Sequence, residues 1–139
     1  MLKGSCLCGS IKYELEGPPL FLSYCHCSLC QKASGSVLLA ALHTGSSGFR
    51  WTSGEHHLAA YESTPDNERY FCSNCGSNMP VTRGAHITIP AGTLDTDLKV
   101  KPIVHVYCSS KPPWDELTDS LPKFEGLPPE SFWKRPDPG

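Results

Sequence analysis

Three thiols fall within one short stretch, Tyr24-Cys25-His26-Cys27-Ser28-Leu29-Cys30, in the pattern C-x-C-x-x-C. No other feature limits the fold as strongly, because one metal ion can be held by all three sulfurs at once. The remaining cysteines fall into different patterns: Cys6 and Cys8 as C-x-C, Cys72 and Cys75 as C-x-x-C, and Cys108 alone. An even total of eight permits disulfides. Two C-x-C pairs, however, are poorly placed to bridge within themselves, whereas both members of such a pair can chelate one ion. The opening residues Met1-Leu2-Lys3-Gly4-Ser5-Cys6 carry no apolar core of a signal peptide. The expectation is a cytoplasmic, reducing setting in which the cysteines are metal ligands.

A chain of 139 residues reads as one domain able to bury a core. Its net charge of -2 offers no electrostatic footprint for nucleic acid or an anionic membrane. The longest apolar run, Val37 to Leu42, is far short of the roughly 20 residues that span a bilayer. The expected partners are small molecules, with no nucleic acid and no membrane.

Short strands dominate the local pattern. Gly4 to Gly9 reads as a tight loop in which glycines let both thiols turn toward one ion. Ile11, Tyr13 and Leu15 then alternate with charged residues, the period of a half-buried strand. Leu20 to Tyr24 reads as a second strand that delivers Cys25 to its end. Ser28 to Ala33 forms a helical turn closed by Gly35, and Ser36 to Leu42 a buried strand. Phe49 to Thr52 and His57 to Tyr61 read as two strands joined across Ser53-Gly54. Arg69-Tyr70-Phe71 runs into Cys72-Ser73-Asn74-Cys75-Gly76, which resembles a zinc knuckle. His86 to Pro90 and Ile103 to Tyr107 complete the set. No sustained helical period is present, so the expected class is all-β, built of short antiparallel strands with little helix.

From Lys111 the composition changes. Seven of the thirteen prolines lie between Pro112 and Pro138, interspersed with Trp114, Phe124, Phe132 and Trp133. Proline excludes central strands and long helices, while the aromatics suit a tail anchored on the domain surface. The division placed here is a domain over residues 1–115 and a packed Pro- and aromatic-rich tail over 116–139.

The cysteine spacings suggest two metal sites of different character. Cys6, Cys8, Cys72 and Cys75 can close a four-thiolate tetrahedron, the arrangement of a structural zinc site that contributes to folding stability. C-x-C is not the usual iron–sulfur spacing. Cys25, Cys27 and Cys30 leave a fourth position for water or substrate, as catalytic zinc requires. Three thiolates leave such a site about one unit negative and a poor activator of water. An incoming thiol, still nucleophilic at neutral pH, suits it better. A fourth ligand from His26 or Cys108 would instead close the site. His26 is expected to point away from the ion, and Cys108 to pack as a small apolar residue.

The motifs also carry a resemblance. Gly4-Ser5-Cys6-Leu7-Cys8-Gly9, Cys25-His26-Cys27-Ser28-Leu29-Cys30-Gln31-Lys32, Phe71-Cys72-Ser73-Asn74-Cys75-Gly76 and Lys111-Pro112-Pro113-Trp114 resemble, in this order, the glutathione-dependent formaldehyde-activating enzyme family, which includes centromere protein V. The resemblance implies a β-tent zinc-binding fold. It implies structural zinc at Cys6, Cys8, Cys72 and Cys75 and catalytic zinc at Cys25, Cys27 and Cys30, two ions per chain. It also implies a carbon–sulfur lyase resembling S-(hydroxymethyl)glutathione synthase, with glutathione or a related thiol as co-substrate and an aldehyde, formaldehyde, as acceptor.

Cations for the carboxylates of glutathione would come from Lys32, Arg50, Arg69 and Arg83. His43, His56, His57, His86 and His105 could relay protons, but His57, His86 and His105 sit in strand-like segments where a packed histidine fits equally well, and none is singled out as catalytic. Glu55 and Glu68 stay unassigned, and Trp51 and Trp114 suit either a core or a pocket wall. Two rival readings accompany the enzyme: a non-catalytic zinc-binding protein-interaction module, and a metal-handling or thiol-redox protein.

Overall fold

Alternation of apolar and polar residues builds most of the computed structural model, which describes residues 1–133. In chain order the elements are β1 (Leu2–Ser5), β2 (Lys12–Leu15), β3 (Phe21–Cys25), α1 (Ser28–Ser34), β4 (Leu39–Gly45), β5 (Phe49–Ser53) and β6 (Leu58–Thr64). There follow β7 (Asn67–Cys72), β8 (Asn78–Met79), β9 (Val81–Arg83), β10 (His86–Pro90), β11 (Pro102–Val106) and α2 (Glu130–Trp133). They form three sheets, with strand orders β1-β2-β5, β11-β3-β4-β10-β9 and β6-β7-β8. The class is all-β. One strand pairing departs from the antiparallel expectation, since β11 runs parallel to β3 and sets Val106 beside Cys25.

The five-stranded sheet separates the core from the site. Leu22 on β3, Leu42 on β4, and Ile87 and Ile89 on β10 point to one face and pack against Tyr13 and Leu15 of β2. Ser23, Cys25, Ala41, His43, Thr88 and Pro90, one residue out of phase, line a cavity on the other face. A slip of one residue would exchange the two sets, so burial of the core face fixes the register that presents the site. Burying each large side chain contributes about 1.5–3 kcal/mol. A second cluster, Cys6, Ile11, Cys72 and Met79, joins the first sheet to the third.

Residues after β11 lie along it. His105 N donates to Pro122 O at 2.9 Å, Phe124 N to His105 O at 3.0 Å, and Tyr107 N to Gly126 O at 3.0 Å. Phe132 packs on Val104 and Val106. Of the tail proposed over 116–139, residues 134–139 lie outside the described residues.

Three local expectations change. The strand read as Ser36 to Leu42 begins at Leu39 and continues to Gly45, because the cap of α1 and the following turn take the earlier residues. The two strands expected to join across Ser53-Gly54 belong to different sheets. Gly54, at φ 69, leads into a 3-10 turn, Glu55–His57, that redirects the chain so that β5 pairs with β2 and β6 with β7. Leu2–Ser5, partly read as loop, is a strand. The ring of Tyr13 lies against Gly4, where a Cβ would sit 2.2 Å from it. Among the described residues no helix is long and apolar enough to cross a membrane.

Candidate functional site

The first cysteine cluster is made by two turns that face each other. The chain leaves β1 into Cys6-Leu7-Cys8-Gly9, where Gly9 N donates to Cys6 O at 3.0 Å. It leaves β7 into Cys72-Ser73-Asn74-Cys75-Gly76, where Gly76 N donates to Cys72 O at 2.8 Å. Gly9 and Gly76 have φ of 80° and 81°, values at which a side chain would strain the backbone. The four ligand sulfurs lie within 4.8 Å of one another. Cys6 and Cys8 sulfurs are 3.6 Å apart, and Cys8 and Cys72 sulfurs 3.9 Å. Zinc–sulfur bonds of about 2.3 Å in a tetrahedron require sulfur edges of about 3.8 Å. The donor set therefore fits a metal such as zinc. Asn74 Nδ2 donates to Cys8 Sγ at 3.2 Å. Ser10 and Asn74 together hold the Cys8 thiol down to about 7, which favours the ligating thiolate.

The second cluster forms where β3 meets α1. Cys25 ends the strand. Cys27 caps the helix and its sulfur accepts from Cys30 N at 3.3 Å. Gly35 closes the helix in the left-handed region. The sulfurs of Cys25, Cys27 and Cys30 lie within 4.8 Å of one another. Arg69 Nη2 is 3.7 Å from Cys30 Sγ. A hydrogen bond from Cys25, aided by Cys27 and Arg69, holds Cys30 down to about 5. The same Cys25–Cys30 bond, together with burial, pushes Cys25 up. Three convergent sulfurs again suit a metal such as zinc, for which thiolates are soft donors, and they leave one tetrahedral position to other groups.

Those three cysteines border a cavity of about 650 Å³, within the range of small-molecule sites. Arg69 and Arg83 line it, as does Glu68. Arg83 donates to Asn67 Oδ1. Of the other candidate cations, Lys32 stands exposed on α1, and Arg50 is bound to Glu14 on the surface. Neither borders the cavity. Glu55 lies in the exposed 3-10 turn before β6. Trp51 packs against the core, whereas Trp114 is 75 % exposed. Cys108 joins neither sulfur cluster.

Two histidine arrays surround the cysteines, and no local pattern in the chain pairs their members. His26, fully buried between Cys25 and Cys27, turns away from both sulfur clusters. Its Nε2 lies 2.8 Å from His105 Nδ1. His105 Nε2 lies 2.8 Å from Asp119 Oδ2, and Lys123 Nζ lies 3.3 Å from Asp119 Oδ1. Gln31 Nε2 donates to His26 O at 2.7 Å and to Ser110 O at 2.9 Å, fixing the same loop from its other side. On the cavity floor, Ser23 Oγ lies 3.2 Å from His43 Nε2, and His43 Nδ1 lies 3.0 Å from His86 Nε2. Phe21 stacks on His43 at 4.4 Å, and Trp133 covers Phe21 at 4.8 Å.

The family model described as glutathione-dependent formaldehyde-activating enzyme matches residues 1–110. This chain belongs to that family. Within the glutathione-dependent formaldehyde-activating enzyme family, a Halomonas elongata relative named "Putative glutathione-dependent formaldehyde-activating enzyme" is 32% identical over 144 residues, covering 95% of this chain and 92% of that protein. A Schizosaccharomyces pombe protein named an uncharacterized lyase is 34% identical over 79 residues, covering 55% of this chain and 54% of its own. A crystal structure of a Rhodobacter sphaeroides protein superposes with a TM-score of 0.58 at 22% identity, over 70% of this chain and 91% of that one. That likeness bears on the fold alone. Every cysteine of the two clusters lies inside the family match, whereas Asp119 and Trp133 lie beyond it.

Proposed function

We propose that this family member adds glutathione, or a closely related thiol, to formaldehyde, as a zinc-dependent carbon–sulfur lyase running toward S-(hydroxymethyl)glutathione. The observation that carries this reading is the opening of the Cys25, Cys27 and Cys30 sulfurs onto a cavity that also holds Arg69 and Arg83. A protein-interaction scaffold has no use for such an opening. In this reading Cys6, Cys8, Cys72 and Cys75 hold a structural zinc, and Cys25, Cys27 and Cys30 a catalytic one. Zinc held by Cys25, Cys27 and Cys30 would supply a Lewis acid at the cavity edge.

The chain's own residues do the rest. Arg69, beside Cys30, offsets the negative charge of three thiolates and attracts an anionic thiol. Arg83 offers a second guanidinium for a carboxylate of glutathione. Phe21, Leu39 and Val106 give the cavity an apolar wall beside the reacting atoms. The thiol releases its proton to solvent, its sulfur bonds to the formaldehyde carbon, and the carbonyl electron pair becomes an alkoxide that takes a proton. Residues 1–115 then form the catalytic domain and 116–139 a supporting tail, in a reducing cytoplasm that keeps the thiols free.

Exchange spectroscopy by NMR on mixtures of glutathione and ¹³C-formaldehyde measures the interconversion rate directly. Wild-type protein is expected to accelerate it, and Cys27→Ser to abolish the acceleration while the fold survives. No acceleration by zinc-replete protein, or an undiminished rate in Cys27→Ser, refutes the proposal.

A further inference from the structure

The reaction leaves an alkoxide to be protonated, and the cavity floor holds one array suited to the task. Ser23 and Cys25 occupy alternate positions of β3, so both side chains point into the cavity, about 7 Å apart along the strand. That spacing leaves room for the one-carbon acceptor between the cysteine cluster and the Ser23 hydroxyl. Behind Ser23, the contacts to His43 at 3.2 Å and from His43 to His86 at 3.0 Å form a continuous chain. The serine is 4 % exposed, while His86 is half-buried at the start of β10, so the chain leads from the cavity floor toward solvent. Phe21, stacked on the ring of His43, holds its plane so that both nitrogens stay in line.

We propose that Ser23 is the catalytic proton donor to the nascent hemithioacetal alkoxide, with His43 and His86 as the relay that recharges it. The inference rests on the thiol-plus-formaldehyde reading above. As the carbon–sulfur bond forms, the carbonyl π pair moves to oxygen. That oxygen takes the Ser23 Oγ proton. Ser23 Oγ takes the proton on His43 Nε2, and His43 Nδ1 takes the proton on His86 Nε2. Water then protonates His86 Nδ1, and the proton given up by the next incoming thiol, passing outward along the same chain to solvent, returns both rings to their starting tautomers. No electron is gained or lost, and the adduct carries the one proton it needs. In reverse the same chain removes the hydroxyl proton as the carbon–sulfur bond breaks. Ser23 touches substrate, whereas His43 and His86 act through it and are positioning residues.

A merely structural role predicts a different pattern, because two buried polar groups that only satisfy each other would report in stability. The test is exchange NMR with glutathione and ¹³C-formaldehyde on wild type, Ser23→Ala, Ser23→Thr, His43→Gln and Ser23→Ala/His43→Gln, with zinc content measured in each. The relay predicts a loss in kcat of about a hundredfold for Ser23→Ala and for His43→Gln, the usual size of a lost proton donor, with KM within about twofold. The double variant should lose no more than either single one, as expected for residues acting as one unit, and Ser23→Thr should recover most of the rate. The ring nitrogens of His43 in ¹⁵N spectra should shift in Ser23→Ala and return in Ser23→Thr, independently of turnover. An undiminished kcat, a loss confined to KM, additive losses in the double variant, or loss of zinc alongside loss of rate would each overturn the relay. Unaffected variants beside an active wild type sink the relay alone, whereas a wild type that leaves the exchange unchanged removes the reaction and the relay together.

Discussion

His26 and His105 meet inside the protein, Nε2 to Nδ1 at 2.8 Å. His26 sits between two cysteines of the second cluster, and His105 is tied to Asp119 at 2.8 Å. A carboxylate from the C-terminal segment therefore braces the loop that carries Cys25 and Cys27. Groups hydrogen-bonded directly to a metal ligand commonly change affinity by about 10- to 100-fold. Asp119 acts from further out, through two histidines and the loop between the ligands, which puts its effect at the low end. Asp119→Ala should loosen metal at the second cluster by about tenfold in chelator competition, and Asp119→Asn, which can still accept from His105, by less. Metal at Cys6, Cys8, Cys72 and Cys75 should be retained in both variants. Equal loss from both clusters would show that Asp119 serves the whole fold instead.

The two clusters should also differ in what their removal does to folding. Cys72 is fully buried between sheets, packed with Cys6, Ile11 and Met79. A metal there would tie segments otherwise joined by a small apolar patch and a few polar contacts such as Leu7 N to Ser77 Oγ and Asn74 Nδ2 to Cys8 Sγ, and structural zinc binding is worth on the order of 10 kcal/mol. Cys72→Ser should therefore abolish cooperative unfolding in circular dichroism. Cys27 caps a helix of 7 residues at the cavity edge, and serine is itself a good cap. Cys27→Ser should stay folded, with well-dispersed proton NMR signals. Comparable collapse of both variants would contradict two sites of different kind.

Features set by short-range chemistry are the ones legible in the sequence. Cysteine spacing, the glycines beside the knuckles and the alternation through Tyr13 and Leu15 each act over a few residues, and each is found in the fold. The partners of the histidines depend on sheet register. Ser23 meets His43 because β3 and β4 pair Phe21 with His43, and no local pattern announces that. His105 stands between Val104 and Val106, where simple alternation turns a polar residue outward. It is buried because residues 122–126 cover that face of β11, a long-range event invisible to periodicity. The join expected across Ser53-Gly54 fails for a related reason: adjacency in sequence suggests a hairpin, while Trp51 pairs with Tyr13.

Of four candidate cations for glutathione, the cavity admits two. Arg69 and Arg83 line it, and charge-assisted hydrogen bonds are worth about 1.5–3 kcal/mol. Arg69→Ala or Arg83→Ala should raise KM for glutathione about tenfold or more, with a smaller effect when the thiol lacks carboxylates, such as 2-mercaptoethanol. Lys32→Ala and Arg50→Ala should leave KM unchanged. Steady-state rates with the two thiols decide the matter, and a KM shift in Lys32→Ala equal to that in Arg69→Ala would sink the assignment.

The Ser23–His43–His86 array carries a signature in stability against pH. Burial first, then the neighbouring His86 and Arg83, hold His43 down to about 4, against an ordinary 6.5. The unfolded chain therefore binds a proton at this residue between pH 6.5 and about 4 while the folded protein does not. Stability at this group is complete above 6.5, falls as pH drops through that window, and levels off below it. A tenfold change in proton affinity corresponds to about 1.4 kcal/mol, and partial solvent access trims the total to on the order of 2 kcal/mol. Urea unfolding of wild type and His43→Gln at several pH values isolates the contribution, because both proteins keep the same cysteines. The advantage of wild type over His43→Gln should shrink as pH falls from about 7 toward about 5. An advantage that grows on acidification would mean that the folded protein holds His43 protonated, and neither the buried ring nor its place in a neutral hydrogen-bonded chain could then stand.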